Sequence, residues 1–219
     1  MLRLLFEKTG NAIWISHLDL MRLFQRAFKR AGLHLSHTQG FNPRPSVSIA
    51  LPLSVGVESR CELLDFDLEG DSISCDAIKE RLNRCLTEGV KVVSVYEGGG
   101  KLRDLKYLEC EIVLEYDSGI PETALEQIEN LFKQKELTVS KKTKSGLQEQ
   151  DIIPMIRWLS VHGINEYTAV LKANICCQNP TLNPAQLVAA ITKYLPGCQP
   201  NFTKCTRIGL YDSQGNQFR

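Results

Sequence analysis

The sequence lacks the long apolar run that a membrane-spanning helix requires. No stretch approaches the roughly 18 unbroken apolar residues that such a helix needs. The first apolar run, Met1–Lys8, contains charges, alternates like a strand and does not resemble a signal peptide. We therefore expect a soluble, cytoplasmic protein that makes no contact with a membrane.

An excess of charge of one sign is also missing. The 219 residues carry 26 basic and 25 acidic side chains, a net charge of +1, which excludes a uniformly basic nucleic-acid coat protein. The hydrophobic fraction of 43% is ordinary for a globular protein and excludes wholesale disorder. Residues 1–60 nevertheless hold eight basic and three acidic side chains, a balance of +5. A local basic face is therefore compatible with the neutral total.

Motifs of the common catalytic and metal sites are absent from the sequence. The eight cysteines are scattered, and no two of them have the C-x-x-C spacing of zinc sites. There is no Gly-x-Ser-x-Gly elbow, P-loop, dinucleotide-binding fingerprint or cysteine triad for an iron–sulfur cluster. We therefore expect free thiols, no metal, no cofactor and no enzymatic activity of the isolated chain.

Hydrophobic periodicity predicts one order of elements that occurs twice. In residues 1–98, strand-like and helix-like patterns follow one another as β-α-β-β-α-β, the ferredoxin-like unit. Residues 103–219 repeat this order, with strands expected near 137–142 and 152–158. The three glycines at 98–100 form the predicted linker. The predicted fold class is therefore α+β, two tandem ferredoxin-like domains.

Local signals place the first helices and strands. Ser16 and Asp19 have the spacing of a capping box and predict a helix start, and Gly32 stands where a left-handed residue would end that helix. Before this helix, 13–15 continues the alternation of the first strand. After it, 47–53 alternates as a second strand, and 74–88 is amphipathic with a helical period.

The first predicted helix carries a stripe of basic residues. Their spacing places them opposite the apolar face, and no acidic residue lies among residues 20–31 to pair with them. A basic stripe can follow a phosphate backbone, with a contribution that falls as the salt concentration rises. A solvated face of an amphipathic helix is the alternative. The candidate phosphate-binding residues are Arg22, Arg26, Lys29 and Arg30.

The segment His37–Ser46 is a stiff loop with several polar side chains. Its two prolines fix φ and favour extended conformations in the residues before them. One interpretation is an anion or nucleotide site, with Arg44 on a phosphate and Phe41 stacked on a base. Composition alone slightly favours the other, a rigid turn whose phenylalanine packs in the core and whose arginine guards a strand edge. The candidate binding residues are Gln39, Phe41, Asn42 and Arg44.

Two histidines are candidate acid–base groups. His17 lies at the predicted helix start beside Asp19, where a capping or packing role is the alternative. His37 opens the stiff loop, three residues after His34. A metal site there needs two further ligands that the spacing does not supply.

A short lysine run, Lys141–Lys144, precedes Ser145 in a predicted turn. Lysines in turns usually keep a surface solvated. This run adds to a binding surface only if it lies beside the first helix.

Four segments of the N-terminal half carry a family resemblance. They are 15–22, 27–32, 36–45 and 49–58, in this order and spacing. Together they resemble a bacterial family of radical-SAM-associated domains of unknown function. The resemblance is specific over residues 1–70 and looser along the rest of the chain. Members of that family occur as separate chains or fused C-terminal to a radical SAM protein with a cobalamin-type domain.

The resemblance implies a partner rather than a chemistry. It implies a radical SAM protein that this chain meets in trans, and genes for RNA-processing and ribosomal proteins near those of the family suggest RNA. We therefore expect an accessory protein that presents an RNA substrate, tRNA or rRNA, to a radical SAM enzyme. One alternative is a protein-interaction module that docks on the partner without contacting RNA. Another is an endoribonuclease that uses His17 or His37.

Overall fold

The structure is a computed structural model that describes residues 1–70, 73–143 and 146–219, without the side chains of 142 and 143. The lysine run predicted in a turn therefore lies partly outside the described residues. Within these ranges the chain is a mixed α/β protein that divides into two compact units, residues 1–104 with 218–219 and residues 105–217. No helix in these ranges is both long enough and apolar enough to cross a bilayer.

The first unit has the element order β-α-β-β-α-β. Its elements are β1 (Leu2–Lys8), α1 (His17–Arg30), β2 (Val47–Ile49), β3 (Glu58–Phe66), α2 (Cys75–Asn83) and β4 (Val90–Glu97). Strand β1 lies between β4 and β3, and β2 pairs with β3. All three pairings are antiparallel. This arrangement leaves α1 and α2 to cover the sheet.

Both helices contribute to one apolar core on the sheet. Two aromatic pairs link α1 to the strands: the ring centroids of Phe6 and Phe24 are 4.8 Å apart, and those of Phe28 and Phe66 are 4.9 Å apart. Such pairs add roughly 0.5–1.5 kcal/mol beyond the burial of their area. From α2, Ile78 packs into the same core. Because the apolar face of α1 is held in this core, the direction in which its exposed face points is fixed as well.

The ends of α1 follow the predicted signals. Ser16 Oγ accepts a hydrogen bond from the Asp19 backbone N–H at 3.2 Å and donates one to the Asp19 carboxylate at 2.7 Å. At the other end Gly32 has a φ of 67°, and the Leu33 N–H bonds the Phe28 carbonyl at 3.0 Å. These bonds satisfy backbone groups that a helix end otherwise leaves unpaired.

Three predicted elements of the first unit are wrong in extent or type. Instead of continuing the first strand, residues Gly10–Trp14 form a 3-10 helix, since Gly10 adopts a φ of 54°. Strand β2 ends at Ile49, shortly before Pro52, which has no N–H for a ladder. Helix α2 ends at Asn83, whose side chain exchanges two hydrogen bonds with the backbone of Val92 in β4.

A buried ion pair joins β1 to β3. The Arg3 guanidinium donates two hydrogen bonds to the Asp65 carboxylate and a third, of 2.9 Å, to the Gly100 carbonyl. Its side chain is 1% exposed, and the hydrogen bond to Asp65 raises the pKa of Arg3. The guanidinium also lies 5.6 Å from the ring centroid of Phe218. A Cβ at Gly100 would come within 2.7 Å of that ring, so the predicted linker is closely packed.

Replacing Arg3 tests this pair. We expect Arg3→Met to lower the free energy of unfolding by about 3–5 kcal/mol, because it leaves the Asp65 carboxylate buried without its partner. The control is Arg84→Met, which removes an exposed pair with Glu80 and should cost less than about 1 kcal/mol. Urea denaturation measures both. Similar small losses in the two variants would contradict the buried placement of Arg3.

The second unit contains the remaining elements. They are β5 (Leu105–Glu115), α3 (Ala124–Phe132), β6 (Thr138–Thr143), β7 (Gly146–Asp151), β8 (Ile156–Gly163), β9 (Thr168–Cys176), α4 (Pro184–Tyr194) and β10 (Phe202–Asp212). Strands β10, β5, β9 and β8 are neighbours in that order, and each pairing is antiparallel. Strands β6 and β7 pair only with each other among the described residues.

The β6 and β7 pair was not predicted in full. The sequence predicts a strand near 137–142, as observed, but places the next one at 152–158. The structure has β7 before that range and a 3-10 helix, Ile153–Met155, within it. Residues 146–149 of β7 are exposed on both faces of the strand, so they show no alternation of apolar and polar residues.

Candidate nucleic-acid interface

Three arginines of α1 line one surface groove. They follow at intervals of four residues, so each lies about 6 Å farther along the same face of the helix. The groove has a volume of about 530 Å³. Its lining consists of Arg22, Arg26 and Arg30 together with Ile15, Asp19, Leu23 and Thr87. The arginines therefore form a row along one open groove.

The three arginines differ in their partners. Arg22 Nη1 lies 2.9 Å from Asp19 Oδ1 in an exposed ion pair. The Ser16 hydroxyl, and after it Arg22, lower the pKa of Asp19. Arg30 donates a hydrogen bond to the Cys85 carbonyl. Arg26, in the middle of the row, makes no hydrogen bond or salt bridge with any described residue, so its guanidinium is available to a ligand.

The ion pair corrects the prediction that the stripe has no acidic partner. Asp19 precedes the range 20–31 by one residue and reaches Arg22 across one helical turn. The structure also separates Lys29 from the arginine row. Lys29 lines a different groove, of about 360 Å³, on the side of α1 that faces His37. The four basic residues predicted as one stripe therefore line two different grooves.

The stiff loop is the tip of a short backbone ladder. The Ser46 N–H bonds the Ser36 carbonyl at 2.7 Å, and the Thr38 N–H bonds the Arg44 carbonyl at 2.8 Å. The Arg44 N–H in turn donates to the Thr38 hydroxyl at 3.0 Å. These bonds close the loop below its tip, and all residues from 39 to 44 are exposed.

Phe41 is fully exposed at this tip, with a relative accessibility of 107%. This overturns the interpretation in which its ring packs in the core. The hydrogen bonds between Thr38 and Arg44 close the loop on itself, and every residue of its tip is exposed, so no core surrounds the ring. Exposed aromatic rings are the groups on which proteins stack unpaired bases. Gln39, Asn42 and Arg44 lie exposed around it.

The two candidate histidines occupy different places. His17 is the first residue of α1, and its Nδ1 is buried without a hydrogen-bond partner among the described residues. His37 lines the second groove, with Nδ1 3.7 Å from Glu69 Oε1. None of the eight cysteines forms a disulfide, and the described residues contain no cluster of three or more potential metal ligands.

An apolar patch near the start of α1 was missed by the sequence analysis. Trp14 and Leu18 are each 66% exposed, and Val55 is 53% exposed. The Gly56 N–H bonds the Ile13 carbonyl, and a Cβ at Gly56 would lie 3.5 Å from the Trp14 ring. In the sequence, only the large apolar side chain of Trp14, shortly before the predicted start of the first helix, hints at this patch.

The family comparison identifies where the chain belongs. The model of a bacterial family described as "uncharacterized protein conserved in bacteria" (DUF2344) matches residues 1–184. The chain is a member of the DUF2344 family. The match covers the whole first unit up to 104 and reaches the start of α4, so it includes both grooves and the stiff loop. No curated protein matches the DUF2344 chain.

Two solved structures resemble the DUF2344 chain. One is a chain from a crystal structure of a Cbf5-Nop10-Gar1 complex, with a TM-score of 0.53, 8% identity, and coverage of 94% of this chain and 47% of that chain. The DUF2344 chain thus spans about half of that neighbour, and at this identity the likeness concerns the fold alone. The other is an unknown protein from Galdieria sulphuraria, with 10% identity, 94% and 95% coverage, and a TM-score of 0.27, too low to support an argument.

The exposed position of Phe41 predicts that its ring contributes little to stability. We expect Phe41→Ala to change the free energy of unfolding by less than about 0.5 kcal/mol. The matched control is Phe24→Ala, which removes a fully buried ring and should cost about 3–5 kcal/mol. Urea denaturation compares the two. A loss at Phe41 comparable to that at Phe24 would restore the packing interpretation.

Proposed function

We propose that this protein binds RNA through α1 and the loop tip, residues 39–44, and presents it to a radical SAM enzyme in the bacterial cytoplasm. The observation that carries the proposal is the arginine row with the unpaired guanidinium of Arg26 at its centre. The rise of about 6 Å between successive arginines is comparable to the separation of consecutive phosphates along a nucleic-acid strand. The row therefore suits a phosphate backbone better than a single small anion.

The loop tip favours an unpaired strand over a duplex. Phe41 offers both ring faces to solvent, and a ring can stack on a base only where that base is not already stacked in a helix. Arg44 lies exposed on the same loop and supplies a further cation for phosphate or for a base edge. Unpaired loops and ends of tRNA or rRNA present such bases.

The partner in the proposal rests on the family resemblance. The chain resembles domains that are associated with radical SAM proteins, and we propose that it meets such a protein in trans. The structural neighbour was crystallised in a Cbf5-Nop10-Gar1 complex, which is compatible with a fold that works in assemblies.

We also propose that the chain consists of two tandem ferredoxin-like domains, 1–98 with the family motif and 103–219. The order of the strands supports this. In each unit the strands of the main sheet pair antiparallel in equivalent order, with the first strand between the last and the third. The second unit departs from the pattern by the added β6 and β7 pair.

A salt series tests RNA binding. We expect labelled tRNA or rRNA fragments to bind the protein with an affinity that falls steeply with salt. The double variant Arg22→Ala/Arg26→Ala should bind more weakly and lower the slope of log K against log salt by about 1 to 2, since it removes two phosphate contacts. Fluorescence anisotropy measures both quantities.

The control for that experiment is Arg81→Ala/Arg84→Ala. These two exposed arginines lie at the end of α2, so the control removes the same charge from the same unit without touching the groove. It should retain nearly all of the affinity. Equal losses of RNA affinity in the two double variants would show that only the net charge matters. An affinity unchanged in both variants would contradict the proposal.

The apolar patch Trp14, Leu18 and Val55 favours a second candidate, docking on the protein partner without RNA contact. Large exposed apolar side chains close together are typical of protein interaction sites. None of these three side chains lines either groove beside α1. Ile15, which follows Trp14 in the chain, lines the groove of the arginine row.

Docking is tested by co-purification with the radical SAM protein of the same bacterium. We expect Trp14→Ser/Leu18→Ser to weaken the complex at least tenfold, because hot-spot residues of interfaces are mostly large and apolar or aromatic. RNA binding by this variant should be unchanged, and RNase treatment should leave the wild-type complex intact. A complex that survives the double substitution would place the interface elsewhere.

A further inference from the structure

The second groove beside α1 is separate from the arginine row. It has a volume of about 360 Å³, within the range of small-ligand sites. Phe28, Leu33 and Leu35 form its apolar floor, and Pro45 is part of its wall. Its polar groups come from the rim, which consists of Gln25, Lys29, His34, His37 and Glu69. The groove is therefore apolar below and polar above.

Backbone pairing on two sides fixes the chain segments that carry the rim residues. On one side the Glu69 N–H bonds the His34 carbonyl at 2.8 Å, and the Ser36 N–H bonds the Asp67 carbonyl at 2.9 Å. On the other side His37 pairs with Pro45 at the base of the loop ladder. Because α1 supplies the remaining rim residues, the groups of the groove are fixed by three connected segments.

We propose that this groove binds one unpaired nucleotide of the RNA. The apolar floor and the Pro45 ring suit the flat face of a base, and the Gln25 amide offers a donor and an acceptor to a base edge. Lys29 provides the positive charge for a phosphate, and the imidazole nitrogens of His34 and His37 offer further hydrogen-bond partners. The Glu69 carboxylate opposes a phosphate, and its Oε1 lies 3.7 Å from His37 Nδ1.

This inference rests on the proposed RNA function and adds a site to it. The arginine row and the second groove share no lining residue, and Lys29 of the groove lies about one helical turn from Arg26 on α1. A strand that follows the arginines needs to cross only this helix to place a nucleotide in the groove. The stacked base at Phe41 would then lie beyond it, since the groove ends at the base of the loop ladder.

The test uses the full chain with AMP, UMP, ribose 5-phosphate and inorganic phosphate as probes, followed by two-dimensional NMR. We expect AMP or UMP to bind at least about tenfold more tightly than ribose 5-phosphate, because a stacked base contributes that much. Gln25→Ala and His37→Ala should each weaken nucleotide binding about tenfold. Arg26→Ala, which changes a residue of the other groove, should not. The NMR spectrum of each variant verifies that it is folded.

The outcomes separate this site from the proposed function. Tighter binding of a nucleotide than of ribose 5-phosphate, weakened by Gln25→Ala, supports the groove as a nucleotide site whatever the salt series gives. Equal binding of all four probes overturns it in favour of a simple anion site. If RNA binding depends on Arg22 and Arg26 but no nucleotide binds at millimolar concentration, the nucleotide site in the groove is contradicted. The proposed RNA function is then still supported.

Discussion

The buried pair of Arg3 and Asp65 is the interaction on which the candidate binding surface of the first unit depends. It fixes β3 against β1 by charge-assisted hydrogen bonds in a place where neither side chain can be solvated. The chain leaves β3 directly into Asp67–Glu69, and this segment holds the backbone of residues 34–36. The position of the loop and of the second groove therefore follows from the register of two central strands.

Helix α1 connects the buried and the exposed parts of this arrangement. Its apolar side is locked by aromatic contacts to the sheet, so the directions of its polar side chains are set by the core rather than by solvent. As a result one helix supplies cations to two grooves, the arginines to one and Lys29 to the other. A single stripe in the sequence lines two grooves because the residues that follow α1, such as His37 and Pro45, line only the groove that contains Lys29.

The sequence predicts those features that depend on local patterns. The start of α1 at Ser16, its end before Gly32 and the alternation of most strands were accessible because each is encoded within a few neighbouring residues. The exposure of Phe41 was not, since it depends on a ladder between Thr38 and Arg44 that composition does not reveal. Strand β7 was not predicted because an exposed strand shows no alternation of apolar and polar residues.

The closure of the loop by Thr38 and Arg44 also has an evolutionary consequence. The N–H and the carbonyl of Arg44 and the hydroxyl of Thr38 form the last hydrogen bonds of the ladder. The side chains between these two residues are therefore constrained only by the turn. Substitutions of Gln39, Phe41 or Asn42 therefore require no repacking of a core, so a core does not explain why the family resemblance includes segment 36–45. The binding proposed for this tip can therefore be altered by substitution while the scaffold beneath it stays the same.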